Sequence, residues 1–208
     1  MYTPSQFKID DPSVIRQFIE ENSFGVLLSS HQGQIYDTHT PFVQSKEGDC
    51  LLGHIARANP QWKFWNENPV VKVIFTGPHA YISPRFYVSE FAVPTWNYTA
   101  VSISGKISIL EEEQAVLDFL DTLVEKNEGT KNSWTLDRTD ERYIKLLTGI
   151  VAFSISIESV ECCFKMNQNK SSEDREKVID SLSVSGCPFD EKVAGVMSGN
   201  KSEITEVN

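Results

Sequence analysis

Between Gly53 and Trp65 the chain reads GHIARANPQWKFW, a run that holds a histidine, an arginine, a lysine and two tryptophans without one carboxylate. Asn59-Pro60 is a capping residue followed by a residue suited to the first position of a helix. A helix starting there has unpaired N–H groups at its first turn, with Arg57 just before them and Lys63 one turn inside. Together these groups are the ingredients of an anion site, above all for a phosphate. Gly53 lets another group approach the backbone closely, and His54 and Trp62 add donors or flat surfaces. A plainer alternative stands beside this one and is favoured on spacing alone: Trp62 and Trp65 anchor a short helix in the core, and the two cations are merely solvated.

Charge sharpens the choice. The 208 residues carry a net charge of −10, with a pI near 4.9. From Leu51 to Leu110, however, five basic residues (Arg57, Lys63, Lys72, Arg85, Lys106) face two acidic ones (Glu67, Glu90), which leaves −13 for the rest. His54 and His79 lie in that window and His39 just before it. An acidic protein is ill suited to gripping nucleic acid, which needs many cations on one face. A local basic and aromatic region suits a small anionic ligand better. Thr95, Trp96, Asn97 and Tyr98 form a polar cluster before a strand, a usual place for ligand contacts. His39, His79, Tyr81 and Tyr87 read equally well as satisfied structural groups. G-x-S-x-G, G-x-x-x-x-G-K and G-x-G-x-x-G are all absent. The histidines are too scattered to predict a metal site, and the four cysteines lack zinc spacing, so reduced thiols in a cytoplasm are expected.

The positioning elements can be read from periodicity and punctuation. Asp11-Pro12 opens a helix with Ile15, Phe18 and Ile19 on one face. SFGVLLSS, residues 35–43 and CLLGHI read as three antiparallel strands joined by Gly-containing turns. Residues 60–66 are expected as a short helix and VVKVIF as the next strand, ended by Gly77-Pro78, with AYIS a brief extended piece. YTAVSISGKISIL alternates as a long strand. Residues 112–127 form the clearest helix, ended by Gly129, and DERYIKLL a second. Two strands, IVAFSISIE and SVECCFKM, precede a helix capped by Ser171 with Asp174 completing a capping box. A last helix near FDEKVAGVM is followed by a polar tail, residues 198–208, expected to be disordered. The organisation predicted is one domain, residues 1–197, of α+β class: antiparallel strands closing into a barrel with peripheral helices. No run is long enough to span a membrane.

ENSFGVLLSS, THTPF, GHIARANPQWK, FTGPHAYISPRFY, VPTWNYTAVSISGKI and NQNKSSEDREKVIDSL occur in the order found in the PaiB family of negative transcriptional regulators. The chain resembles that family from about Met1 to about Met197. The resemblance implies a six-stranded antiparallel split β-barrel of the FMN-binding superfamily, shared with pyridoxamine-phosphate oxidases and flavin reductases, that forms a homodimer with FMN at its interface. It places Thr38, His39 and Thr40, and on the adjoining strand His54, Ile55 and Ala56, beside the isoalloxazine. Arg57, Asn59 and Lys63 fall where the ribityl phosphate binds, and Asn97 and Tyr98 reach toward the partner's cofactor. SPRFY departs from the usual Ser-Pro-Ser-Trp-Tyr, so Arg85 adds an anion partner where an aromatic contact is lost. Three roles follow as expectations. One is a flavin-dependent oxidoreductase or flavin-linked regulator with a nicotinamide donor. The second is a transcriptional repressor without catalysis, acting on DNA or through a partner, the latter favoured because its strongest helices expose acidic faces. The third is a haem protein with His39, His54 or His79 as axial ligand.

Overall fold

The structure is a computed structural model that describes residues 1–129 and 134–199. Strands β1 (Lys8–Ile9), β2 (Phe24–His31), β3 (Gln34–Gln44), β4 (Cys50–Ala56), β5 (Val70–Ile82), β6 (Thr95–Ile109) and β7 (Ile150–Lys165) form one sheet in the order β1-β7-β4-β3-β2-β5-β6. A further β6–β7 pairing returns the sheet to its start. The six long strands thus close on one another as expected, and β1, which was not anticipated, is a two-residue addition on β7.

The helices are α1 (Pro12–Glu21), α2 (Glu113–Glu128), α3 (Glu141–Leu147), α4 (Ser172–Ser183) and α5 (Pro188–Met197). Their starts follow local chemistry. The Asp11 carboxylate accepts from Ser13 N at 2.8 Å, Asp140 caps α3 through Arg142 N at 2.9 Å, and Ser171 caps α4 through Asp174 N at 3.2 Å. Gly129 ends α2 with φ of 72°, a left-handed geometry that favours glycine.

Two expectations are corrected. Gly77-Pro78 does not break β5, which runs unbroken to Ile82. Pairing with β2 covers Val71 to Ile74, so Pro78 lies beyond that partner, where its missing N–H costs no ladder bond on that side. IVAFSISIE and SVECCFKM are likewise one strand, β7. Its first half pairs with β4 and its last with β1, and the residues between contain no glycine or proline to turn the chain. Of the expected tail, Ser198 closes α5 by donating its hydroxyl to the Ala194 carbonyl at 2.7 Å, and residues 200–208 lie outside the described residues.

Contacts divide the chain into two compact units, Met1–Phe18, Thr76–Val101 and Glu161–Asn208 in the first, and Ile19–Phe75 with Ser102–Val160 in the second. The first packs Ala80, Ile82, Tyr87 and Met166 against Val178 and Leu182 of α4 and Val193, Ala194 and Met197 of α5. In the second, Phe42 meets Phe75 and Phe153 edge-on at 5.4 and 6.1 Å, and Trp65 meets Phe153 at 5.2 Å. Gly53 is required there because a β-carbon would come within 2.6 Å of the Phe153 ring. On the opposite face of the same strands, Phe119 of α2 covers Val43 and Ala152.

Candidate functional site

In the second unit, β4 delivers His54, Ala56 and Arg57 to the start of a short 3-10 helix, Pro60–Phe64. Asn59 caps it as expected, its side-chain oxygen accepting from Gln61 N at 2.9 Å. That bond changes the anion reading. Pro60 has no N–H, the Gln61 N–H is taken by the cap, and a single 3-10 turn offers no helix-end site. Any positive potential here must come from side chains.

Arg57 supplies it. Its Nε donates to the Thr148 carbonyl and its Nη2 to the Ile150 carbonyl, both at 2.7 Å, and its guanidinium lies 5.7 Å from the Trp62 ring centre. The Trp62 indole N–H in turn donates to the Arg57 carbonyl at 3.0 Å. The cation is held in place by neutral groups, has no carboxylate partner among the described residues, and keeps further N–H donors for a ligand. It borders a groove of about 370 Å³ whose apolar floor includes Leu110, Val116, Ile150, Val151 and Ala152. Lys145 of α3 adds a second cation to the rim, and Glu111 and Glu113 line the groove at the start of α2. Lys145 escaped the sequence reading because nothing in its own segment marks it. Lys63 is exposed and makes no ion pair with a described residue.

The other candidates separate by the alternation of their strands. Thr38 and Thr40 share a side of β3 with buried Phe42, and Ile55 is also core. The Thr40 hydroxyl donates to the His54 carbonyl at 2.6 Å. The Thr38 hydroxyl donates to Gln61 Oε1 and accepts from Asn59 Nδ2 at 2.7 Å. Thr38 thus ties the strand to the 3-10 turn and Thr40 ties it to β4, and neither they nor the buried Ile55 face outward. His39 does, exposed beside Phe24 with ring centres 6.1 Å apart. His54 packs its ring 5.9 Å from Phe119, its Nδ1 is buried without a partner, and burial pushes its pKa below the usual histidine value. It therefore stands neutral near pH 7. Gln61, which the sequence reading passed over, is the fully buried node of this network.

Asn97 and Tyr98 belong to the first unit. Asn97 is fully buried, donating to Met197 Sδ at 3.3 Å while its Oδ1 finds no partner. The Cys163 thiol donates to the Tyr98 hydroxyl at 3.5 Å. The pairing of these two acidic groups, with burial, pushes the Tyr98 pKa up to about 12, so it stays a neutral phenol. Among the described residues no helix is long and apolar enough to cross a membrane.

Known proteins share this chain's sequence pattern and fold. Residues 1–159 match the family described as "Putative FMN-binding domain". The "Protease synthase and sporulation protein PAI 2" of Bacillus subtilis is 37% identical over 201 residues, covering 95% of this chain and 96% of that one. The FAD and heme binding protein from Mycobacterium smegmatis shares the fold with a TM-score of 0.62 at 14% identity, over 81% of this chain and 78% of that one. The flavocytochrome Anf3 from Azotobacter vinelandii does so with a TM-score of 0.61 at 16% identity, over 82% and 75%. At such identities the two structures speak for the fold alone. With its closed antiparallel strands and a family match over most of its length, the chain belongs to the PaiB-type family of FMN-binding split-barrel proteins.

Proposed function

We propose that the protein binds FMN with Arg57 as the principal phosphate ligand. The observation that carries this is the anchored guanidinium, without a carboxylate partner among the described residues, at the rim of a groove. A planar fork held by two backbone carbonyls loses little freedom on gripping a phosphomonoester bidentately. Lys145 adds charge at the rim of the groove and exposed Lys63 is a further candidate, while exposed His39 and Ala56, with His54 half-buried beside Phe119, offer a surface for a flat ring. FMN, when bound, supplies the redox chemistry; the chain's residues bind, orient and shield it. His54, neutral and half-buried, has a ring nitrogen able to give or accept a hydrogen bond there. We take the working form to be a homodimer with a nicotinamide donor as reductant, and any regulatory role to act through a partner, since α2 and α4 begin with acidic residues that repel DNA phosphates.

The test is a titration of the protein with FMN and with riboflavin, which lacks the phosphate. FMN binds more tightly, and Arg57→Ala weakens FMN by about 1.5–3 kcal/mol, the worth of a charged hydrogen bond, while leaving riboflavin unchanged. Arg57→Lys restores part of the difference. An FMN-to-riboflavin ratio that Arg57→Ala leaves untouched would move the phosphate elsewhere. The absorption spectrum of the purified protein separates flavin from haem at the same time.

A further inference from the structure

Four aromatic rings meet on the first unit. His79 and Tyr81 are alternate residues of β5, Trp96 lies on β6, and Phe189 sits in the first turn of α5. Ring centres are 6.2 Å apart for His79 and Trp96, 5.4 Å for His79 and Phe189, and 6.1 Å for Tyr81 and Trp96. The planes are inclined by 39°, 41° and 68°. By contrast His31 and Phe64 stack at 4.1 Å and 9°, each closing a face of the other. Inclined rings leave their faces open, and Tyr81, Trp96 and Phe189 are 48%, 54% and 56% exposed.

The cluster stands on strands and a helix, so it is held stiffly. Gly77 packs so closely that a β-carbon would come within 2.6 Å of Phe18, and its carbonyl lies 3.2 Å from His79 Nδ1. A carbonyl can only accept, so that nitrogen carries a proton and the orientation of the imidazole is set.

Charge selects the occupant. The faces of aromatic rings attract cations. Elsewhere the chain provides one itself, Arg57 over Trp62 and Lys170 over Tyr87, whereas among the described residues no lysine or arginine lies over these four rings. The first turn of α5 adds two carboxylates after Phe189, Asp190 and Glu191, against one ammonium, Lys192, a net charge of −1. Uncovered ring faces beside a net negative helix turn favour a positive ligand and disfavour a phosphate. We propose that His79, Tyr81, Trp96 and Phe189 form a binding site for an organic cation, an alkylated ammonium group seated against the faces of Trp96, Tyr81 and Phe189. Alkylation matters because such a group surrenders less hydration than a primary ammonium when it meets a ring. The site is independent of the flavin reading and can succeed or fail without it.

The experiment follows the indole N–H signals of the four tryptophans while choline is added, with its neutral isostere 3,3-dimethylbutan-1-ol in a parallel titration. Choline shifts the Trp96 signal, identified by its loss in Trp96→Phe, and binds at least about tenfold more tightly than the isostere. Trp96→Ala and Phe189→Ala each weaken choline by about three- to thirtyfold. Both side chains are half-exposed, so circular dichroism and melting stay close to the parent; should one variant unfold, the other decides. Equal binding of choline and its isostere would reduce the cluster to an apolar patch and overturn the proposal. So would an unmoved Trp96 signal at millimolar choline.

Discussion

Replacing Gln61 with leucine removes the node that joins β2, β3 and the 3-10 turn beside Arg57. Gln61 is fully buried, and its amide donates to the Ser29 hydroxyl at 3.0 Å and the Leu27 carbonyl at 3.3 Å while its oxygen accepts from Thr38. Leucine keeps the volume and loses every bond. The two best bonds are worth about 1 kcal/mol each, and hydroxyls left facing hydrocarbon cost about 1–2 kcal/mol more, so the loss is about 3–4 kcal/mol. For a chain of 208 residues that lowers Tm by about 6–16 °C. Gln61→Glu is more revealing. Its carboxylate would face the Leu27 and Tyr36 carbonyls in a dry site, so its folded pKa rises above the usual glutamate value. A raised carboxyl pKa leaves the variant least perturbed at low pH, where the neutral acid can still donate. Stability then falls by about 1.4 kcal/mol per pH unit above the unfolded pKa until the folded pKa is reached. Urea denaturation followed by tryptophan fluorescence at pH 5 and pH 8 measures both variants against the parent. A Gln61→Leu protein within about 0.5 kcal/mol of the parent, the range of an ordinary surface change, or a Gln61→Glu protein indifferent to pH, would refute the assignment of Gln61 as a structural node.

Two further predictions concern the flanking structure. The buried Asp174 carboxylate accepts from Val88 N at 2.8 Å, Ser89 N at 3.1 Å and the Ser89 hydroxyl at 2.6 Å, and the Ser89 bonds above all hold its pKa below the usual carboxylate value. Its contribution is present above the unfolded carboxyl pKa and lost as pH falls through the depressed folded value, so the parent and Asp174→Asn converge in urea midpoint on acidification; a gap that stays constant to pH 3 contradicts this. Gly53→Ala would set a methyl 2.6 Å from the Phe153 ring, itself wedged between Phe42 and Trp65. Overpacking of this kind costs about 1–3 kcal/mol and alters the near-ultraviolet circular dichroism of the aromatic core; unchanged spectra and stability would mean that the ring moves freely.

Much of the fold is legible in local chemistry. Asn59-Pro60, Asp11-Pro12, Ser171 and Gly129 act where a neighbour within four residues suffices, and each marks a helix end as its residue type suggests. Where the reading fails, a distant partner decides. The capping box at Ser171 is half made: Ser171 caps Asp174 N, but the Asp174 carboxylate turns to Val88 and Ser89, some 85 residues away. Gly77-Pro78 punctuates a sequence and yet continues a strand, because the ladder on that side ends first at Ile74.

The site shows the same division. By itself the sequence determined that cations and aromatic rings gather after the third main strand in an otherwise acidic chain, because composition and spacing are carried by each residue alone. It could not say which cation is held and which is loose. That choice belongs to tertiary structure: Arg57 is fixed by carbonyls at Thr148 and Ile150, more than 90 residues on, while Lys63 meets no described carboxylate. Thr38 and Thr40, adjacent in sequence to His39, face the core because a strand alternates its sides, and their hydroxyls satisfy atoms brought near by β4 and by Gln61. Which polar groups remain free for a ligand is what is left after folding has paired the others, and pairing over such separations is written in no single stretch of the chain.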